Sequence, residues 1–337
     1  RRMFFTLFTL LVPILVLVML ELILRLASYG PNLDLFVSEI SEGRKFFVMN
    51  PQLKARYFSR TQFTPSTSLD YFQSPKPAGT YRIFCLGGST TVGFPFGQAG
   101  SFSTFLREEL NAGSPGRRVE VINLGMTATN SYTVNDIAKE LAPWEPDLLV
   151  VYDGHNEFYG ALGSGSLETI SGTRWVTKLY LMLVRLRTFH LMRDAITWTG
   201  ALVPQSRVPY PPGTTLMETL AREQTVPFGS LLYAKTLDNF RSNLRELAEI
   251  AQQLGVPVIV CTQVSNIRDL PPFVSARPEA RSGTERSELA PLGAERSGRR
   301  DLRELLDILR RELRADTLRA DLHYAVARCF DSLGMKQ

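Results

Sequence analysis

The chain has 337 residues, of which 44% are hydrophobic and 21% charged, with 38 Lys and Arg against 33 Asp and Glu for a formal net charge of +5. That length accommodates one large domain with an appendage, or two modest domains, and a positive excess so small and so dispersed argues against a nucleic-acid surface. The three cysteines, Cys85, Cys261 and Cys329, lie far apart without CxxC spacing, which excludes a disulfide framework and a cysteine zinc site.

Residues 4–24, FFTLFTLLVPILVLVMLELIL, are apolar except for two threonines and Glu21, with Pro13 inside the run. Such a stretch is long enough to cross a hydrocarbon core about 30 Å thick, so residues 1–29 are expected to form a transmembrane anchor. A secretory signal would have a shorter apolar region and a small-residue cleavage site after it. Arg1 and Arg2 before the run place the bulk of the chain on the outer side of the membrane, with Arg25, Arg44 and Lys45 opposing that orientation. Residues 30–79, rich in Pro, Ser and aromatics without clear periodicity, are read as a connector lying against a domain surface.

From residue 80 the pattern changes. Strand-like runs at 81–86, 119–124, 147–153 and 256–264 alternate with helical stretches near 101–112, 131–142, 174–198 and 230–254. Runs that are apolar on both faces and separated by helices predict a parallel sheet covered on both sides, an α/β domain over residues 80–274. In open sheets of this kind ligands bind beyond the carboxyl ends of the strands. The charged stretch 275–300 is expected to be a flexible linker. Residues 301–337 predict a helical hairpin whose second helix resembles the first helix of a tetratricopeptide repeat, with Tyr324, Ala327 and the closing SLG in suitable places. One repeat cannot bury its own face, so further repeats are expected after Gln337, unless the pair packs on the main domain.

The chemistry concentrates in three loops at one sheet edge. In FCLGGSTTVGFPF, Phe84 to Phe96, a phosphate-binding loop would need a lysine where Phe94 stands. A strand-glycine-glycine-serine turn instead holds Ser89 at the sheet edge as a nucleophile, while Thr91 stands where the G-x-S-x-G elbow has its last glycine. The second loop, NLGMTATNSY, and the third, YDGHNEFYG, fall at the same edge. Acyl transfer through a serine needs donors aimed at the developing oxyanion, and the Ser89 N–H, the Gly125 N–H and the Asn156 amide are candidates. Gly88, Thr90, Asn130, His155 and Glu157 are the expected pocket residues.

The stretches CLGGST, NLGMTATNSY and GHNE resemble the first three sequence blocks of the SGNH, or GDSL, hydrolase family. The resemblance covers roughly residues 80–270 and implies a flavodoxin-like three-layer α/β/α fold and hydrolysis of esters, often acyl groups on lipids or glycans. Carried over, Ser89 is the nucleophile, and Gly125 and Asn156 complete the oxyanion hole. The variant it most resembles is a bacterial, membrane-anchored form with tetratricopeptide-like helices, which implies an inner-membrane, single-pass protein with its main domain in the periplasm. The family's base, a histidine in a late Asp-x-x-His block, has no counterpart with that spacing in these 337 residues. Asp321 and His323, two residues apart on a helix, cannot share a face. His323 is read as a repeat-packing residue, His190 as a core or interfacial one, and His155 as orienting the third loop or lining the pocket.

Three functions follow as expectations: a membrane-anchored serine ester hydrolase, a catalytically silent accessory or scaffold subunit of a membrane complex, or a polysaccharide O-acyltransferase. Protein partners are expected through helices 301–337 and the membrane through residues 4–24. No cofactor and no metal are expected, since the histidines and carboxylates lack ligand spacing.

Overall fold

A computed structural model describes residues 2–58, 65–114, 116–166, 169–200, 226–266, 272, 299–317 and 319–335. Its centre is a four-stranded sheet of β4 (Thr80–Gly87), β5 (Arg118–Asn123), β6 (Leu148–Tyr152) and β7 (Val258–Val260), ordered β5-β4-β6-β7 and parallel throughout. Numbered within the sheet, this is the order 2-1-3-4, the beginning of the flavodoxin-like arrangement. The chain is therefore mixed α/β with a parallel sheet.

Alternation along β4 sends its side chains to two cores. Phe84 and Leu86, with Leu149 and Val151, join a large cluster that contains Tyr132, Val134 and Ile137 of α4 (Ser131–Ala138) and Leu247, Ile250 and Ala251 of the 24-residue helix Leu231–Leu254. Ile83 and Cys85, with Val121 and Val150, pack with Phe102, Leu106 and Leu110 of α3 (Phe102–Gly113). Helices thus cover both faces, as the apolar runs require. Ser101, Asn130 and Ser230 cap the starts of these three helices, and Gly255, at φ 70, ends the third.

Residues 30–79 depart from the expected connector. They form an antiparallel sheet of β1 (Phe36–Ser41), β2 (Arg44–Met49) and β3 (Phe72–Gln73), with Glu42 and Gly43 turning at φ 50 and 73. Phe36 and Phe72 enter the main core against Phe84. Arg82, fully buried on β4, donates to Gln73 O at 2.6 Å and Trp144 O at 2.8 Å and pairs with Glu120 at 2.9 Å. The N-terminal sheet is in this way bonded to the central one.

The first helix, α1 (Arg2–Leu26), covers the expected anchor. Side chains of residues 2–8 and 10 lie outside the described residues, and among those described no helix is long and apolar enough to cross a membrane. After the third loop come α5 (Arg174–Leu183) and α6 (Arg187–Gly200), where one continuous helical stretch was expected. We number the helix Leu231–Leu254 α7 and the C-terminal pair α8 (Arg299–Ala315) and α9 (Ala320–Leu333). This pair packs through Leu302, Leu306, Leu309, Leu322, Val326 and Leu333. The expected linker falls almost wholly outside the described residues, except that 299 and 300 already belong to α8.

Candidate active site

Ser89 and Asn156 follow β4 and β6, adjacent strands at the carboxyl edge where the strand order reverses, the switch point at which such sheets bind ligands. Two glycines make the approach possible. A Cβ on Gly87, at φ 153, would lie 2.1 Å from Tyr152 O, so only glycine lets β4 leave the sheet here. A Cβ on Gly88 would lie 2.7 Å from the Asn156 Nδ2, which brings the third loop's amide against the residue before the serine.

Ser89 opens α2 (Ser89–Val92), a single helical turn closed by Gly93 at φ 99. Ser89 and Thr90 are half-buried, and the Ser89 carbonyl accepts from the N–H groups of Gly93 and Phe94. Thr91 explains the departure from the G-x-S-x-G elbow: its Oγ1 donates to Tyr152 O at 2.9 Å, an anchor to β6 that glycine cannot provide.

Asn156 is buried, and its Nδ2 donates to Thr129 O at 2.9 Å. An amide carries two such hydrogens, so one remains to serve an oxyanion. Gly125 differs from its expected role. It abuts the end of α2, with a Cβ there 2.7 Å from Val92 N, but its N–H donates to Asn123 Oδ1 at 2.8 Å. Asn123 in turn donates to Thr91 O at 2.5 Å and Ser103 Oγ at 2.9 Å. This buried asparagine, the last residue of β5, is a site residue that sequence reasoning missed; a polar residue ending an apolar strand at the functional edge was its signal.

Asn130 caps α4, accepting from Tyr132 N at 3.2 Å, and its buried amide nitrogen has no partner among the described residues. Glu157 is buried and accepts from both the Ser131 N–H and the Ser131 Oγ at 2.8 Å. Ser131 Oγ accepts from Asn243 Nδ2 at 2.9 Å, so the third loop is bonded through α4 to α7. Asp153 ends the same strand beside Glu157. Burial first, and the Glu157 charge second, hold the Asp153 carboxyl protonated well above the usual range, and burial also raises Glu157 against the Ser131 donors. Two carboxylates in one dry site cannot both ionise, so the pair retains a proton.

The histidines fall apart from one another. His155 is exposed, lies edge-on to the Tyr152 ring at 5.5 Å, and has its Nε2 3.3 Å from Val264 O. It orients the third loop toward the segment after β7. His190 is fully buried, with Nε2 2.7 Å from Val184 O and Nδ1 3.2 Å from an Arg193 nitrogen, and burial followed by the Arg193 charge lowers its pKa. It is a satisfied core residue. His323 is not the packing residue expected: it is exposed and its Nε2 lies 2.9 Å from Thr317 O, while Asp321 is held by Arg319. Two cavities of about 440 and 200 Å³ lie near the end of α1, and neither is lined by Ser89, Gly125 or Asn156.

No family model matches the chain, and no curated protein does. Among solved structures, it is similar to AlinE4, described as an SGNH-hydrolase family esterase, at 13% identity, covering 55% of this chain and 77% of that one with a TM-score of 0.25. A lipase/acylhydrolase from Enterococcus faecalis matches at 19% identity, 53% and 75% coverage and a TM-score of 0.25. The acetylxylan esterase Axe2 from Geobacillus stearothermophilus matches at 15% identity, 53% and 75% coverage and a TM-score of 0.23. At such scores the fold assignment rests on strand order and register, not on these likenesses.

Proposed function

We propose that the chain is a membrane-anchored, SGNH-type serine ester hydrolase acting on acyl esters of lipid or glycan, with its main domain on the periplasmic side of a bacterial inner membrane. The observation that carries the reading is the approach of the Asn156 amide to Gly88, with a hydroxyl on the next residue. In this reading Ser89 Oγ attacks the ester carbonyl carbon, and the developing oxyanion accepts from the Asn156 amide and the Ser89 N–H. The tetrahedral intermediate collapses with loss of the alcohol, which takes up a proton, and water then cleaves the acyl-Ser89 ester. A base must take the Ser89 proton, since a serine without one is a poor nucleophile, and none of the three histidines stands in the family's late Asp-x-x-His spacing. The exposed apolar side chains of α1, from Leu11 to Met19, support anchoring by that helix. The α8–α9 pair is proposed to begin a repeat array that docks a protein partner.

One feature favours the accessory-subunit reading: the Gly125 N–H is already bonded to Asn123, which leaves fewer donors free for an oxyanion. Fluorophosphonate labelling separates the two. Hydrolase chemistry predicts that a probe labels the wild-type chain, and that Ser89→Ala abolishes the label while Asn156→Ala slows it by about 10²–10³. Labelling that survives Ser89→Ala, or no labelling of the wild-type protein, sinks the hydrolase.

A further inference from the structure

The described side chains of α1 from Leu11 to Met19 are exposed, and the helix meets the α/β domain near its end. Glu21 makes the joint. Its carboxylate accepts from Arg187 N at 3.0 Å, Thr188 N at 2.9 Å and Thr188 Oγ1 at 3.1 Å, so it caps the start of α6. Around this cap, Tyr29 OH donates to Asp194 Oδ2 at 2.8 Å, and Arg187 bonds Pro31 O. The joint leaves the domain little room to swing, because Leu33 and Leu35, a few residues on, are already buried in it.

The cap also fixes a depth. Glu21 belongs to the apolar run 4–24 and lies three residues, about 4.5 Å of helix rise, inside its end. The first turn of α6 is therefore held level with apolar residues of α1. Counted around α6 from the buried His190, the exposed residues Trp198 (72%), Ala195, Met192 (52%) and Ile196 (63%) follow one another over a single arc of about 160°. Met182 at the end of α5 is 64% exposed. Arg25 and Arg187 border this region, lining a cavity of about 440 Å³ with Ser28, Gly30, Asn32 and Asp34. Apolar residues and a tryptophan on one side with guanidiniums at the rim match the layering of a bilayer surface.

We propose that α6 lies in the interfacial layer of the bilayer that α1 enters, with Met192, Ile196 and Trp198 in contact with lipid. The inference rests on the anchor reading of α1 and is independent of any catalysis. Its consequence is a fixed orientation: the α/β domain sits on the membrane through α6 instead of hanging on a free tether.

The chain has three tryptophans, Trp144, Trp175 and Trp198, which permits a direct test. The full chain and its Trp198→Phe variant are reconstituted in phosphatidylcholine vesicles with and without bromine on the upper acyl chain. Expected is a quenched component that the wild-type chain shows and Trp198→Phe lacks, the other two tryptophans cancelling in the difference. Ile196→Glu with Met192→Glu should abolish that component while the chain still resists alkaline carbonate. Equal quenching of wild type and Trp198→Phe in carbonate-resistant protein overturns the proposal and leaves the anchor standing. Trp198 that escapes bromine yet is shielded from aqueous iodide means that another protein copy or partner covers α6, which also overturns it. Extraction of the chain by carbonate removes the anchor reading and the inference together.

Discussion

Replacing Gly88 with alanine tests the contact on which the candidate site depends. The residue has φ −87, so no left-handed penalty intervenes and the effect is one of space. The new Cβ would lie 2.7 Å from Asn156 Nδ2, against about 3.4 Å for an ordinary contact, so the amide must retreat by about 0.7 Å. Asn156 is 4% exposed and holds Thr129 O at 2.9 Å, which leaves it little room to move without stretching that bond. Overpacking of this kind costs about 1–3 kcal/mol of stability, and a displacement approaching 1 Å at a reacting centre costs up to about 10²-fold in rate. The assay is a double-mutant cycle of Gly88→Ala and Asn156→Ala, read by urea unfolding and by the rate of fluorophosphonate labelling. With the amide removed, the added methyl has space, so the two changes should couple by about 0.5–3 kcal/mol. Strict additivity of the unfolding free energies would refute the contact, whether or not the protein turns over an ester.

Two further expectations concern groups around the site and the joint. The Asp153 carboxyl keeps its proton well above the model-compound value of 3.8; the unfolded chain gives that proton up near that value, so the associated stability is whole at lower pH and declines as pH rises through the folded value. Asp153→Asn cannot ionise, and its stability relative to wild type should grow by up to about 1.4 kcal/mol per pH unit in that window; parallel pH profiles of urea midpoints would refute the assignment. Glu21→Ala should remove about 1 kcal/mol of helix-cap stabilisation from α6, seen as faster hydrogen exchange at the Arg187 and Thr188 amides, and unchanged exchange there would show that the cap is idle.

The parallel sheet was legible because β4, β5 and β6 are apolar on both faces, a pattern that only burial between two helical layers produces. Ser89 and Asn156 were legible as members of loops at one edge, since a parallel sheet sends every strand's carboxyl end the same way. The β1–β2 hairpin was not, because the first of its two positive-φ turn positions holds Glu42 in place of asparagine or glycine, ahead of Gly43. Nor could the sequence tell that Asn123, two residues before Gly125, would take up the glycine's N–H; side chains that bond locally to the backbone compete with distant ligands, and their rivalry is settled by tertiary packing. The Asp153–Glu157 pair has the same character. Each carboxylate reads as an ordinary turn residue until the fold removes water from both.

The cap at Glu21 ties two stages of the protein's making together. Its backbone donors lie 166 and 167 positions later in the chain, so before the α/β domain folds the carboxylate has Arg25, one turn away on its own helix, as its local partner. Under the proposed anchoring of α1, an acidic side chain in the bilayer is penalised by about 2.5–3.5 kcal/mol at the centre and less toward the edge, and pairing with Arg25 offsets part of that. The two backbone donors arrive when the α/β domain has folded and α6 presents its first amides. In that proposal the seating of α1 is tied to maturation downstream, and a chain whose domain has failed differs from a sound one by a carboxylate left with Arg25 alone.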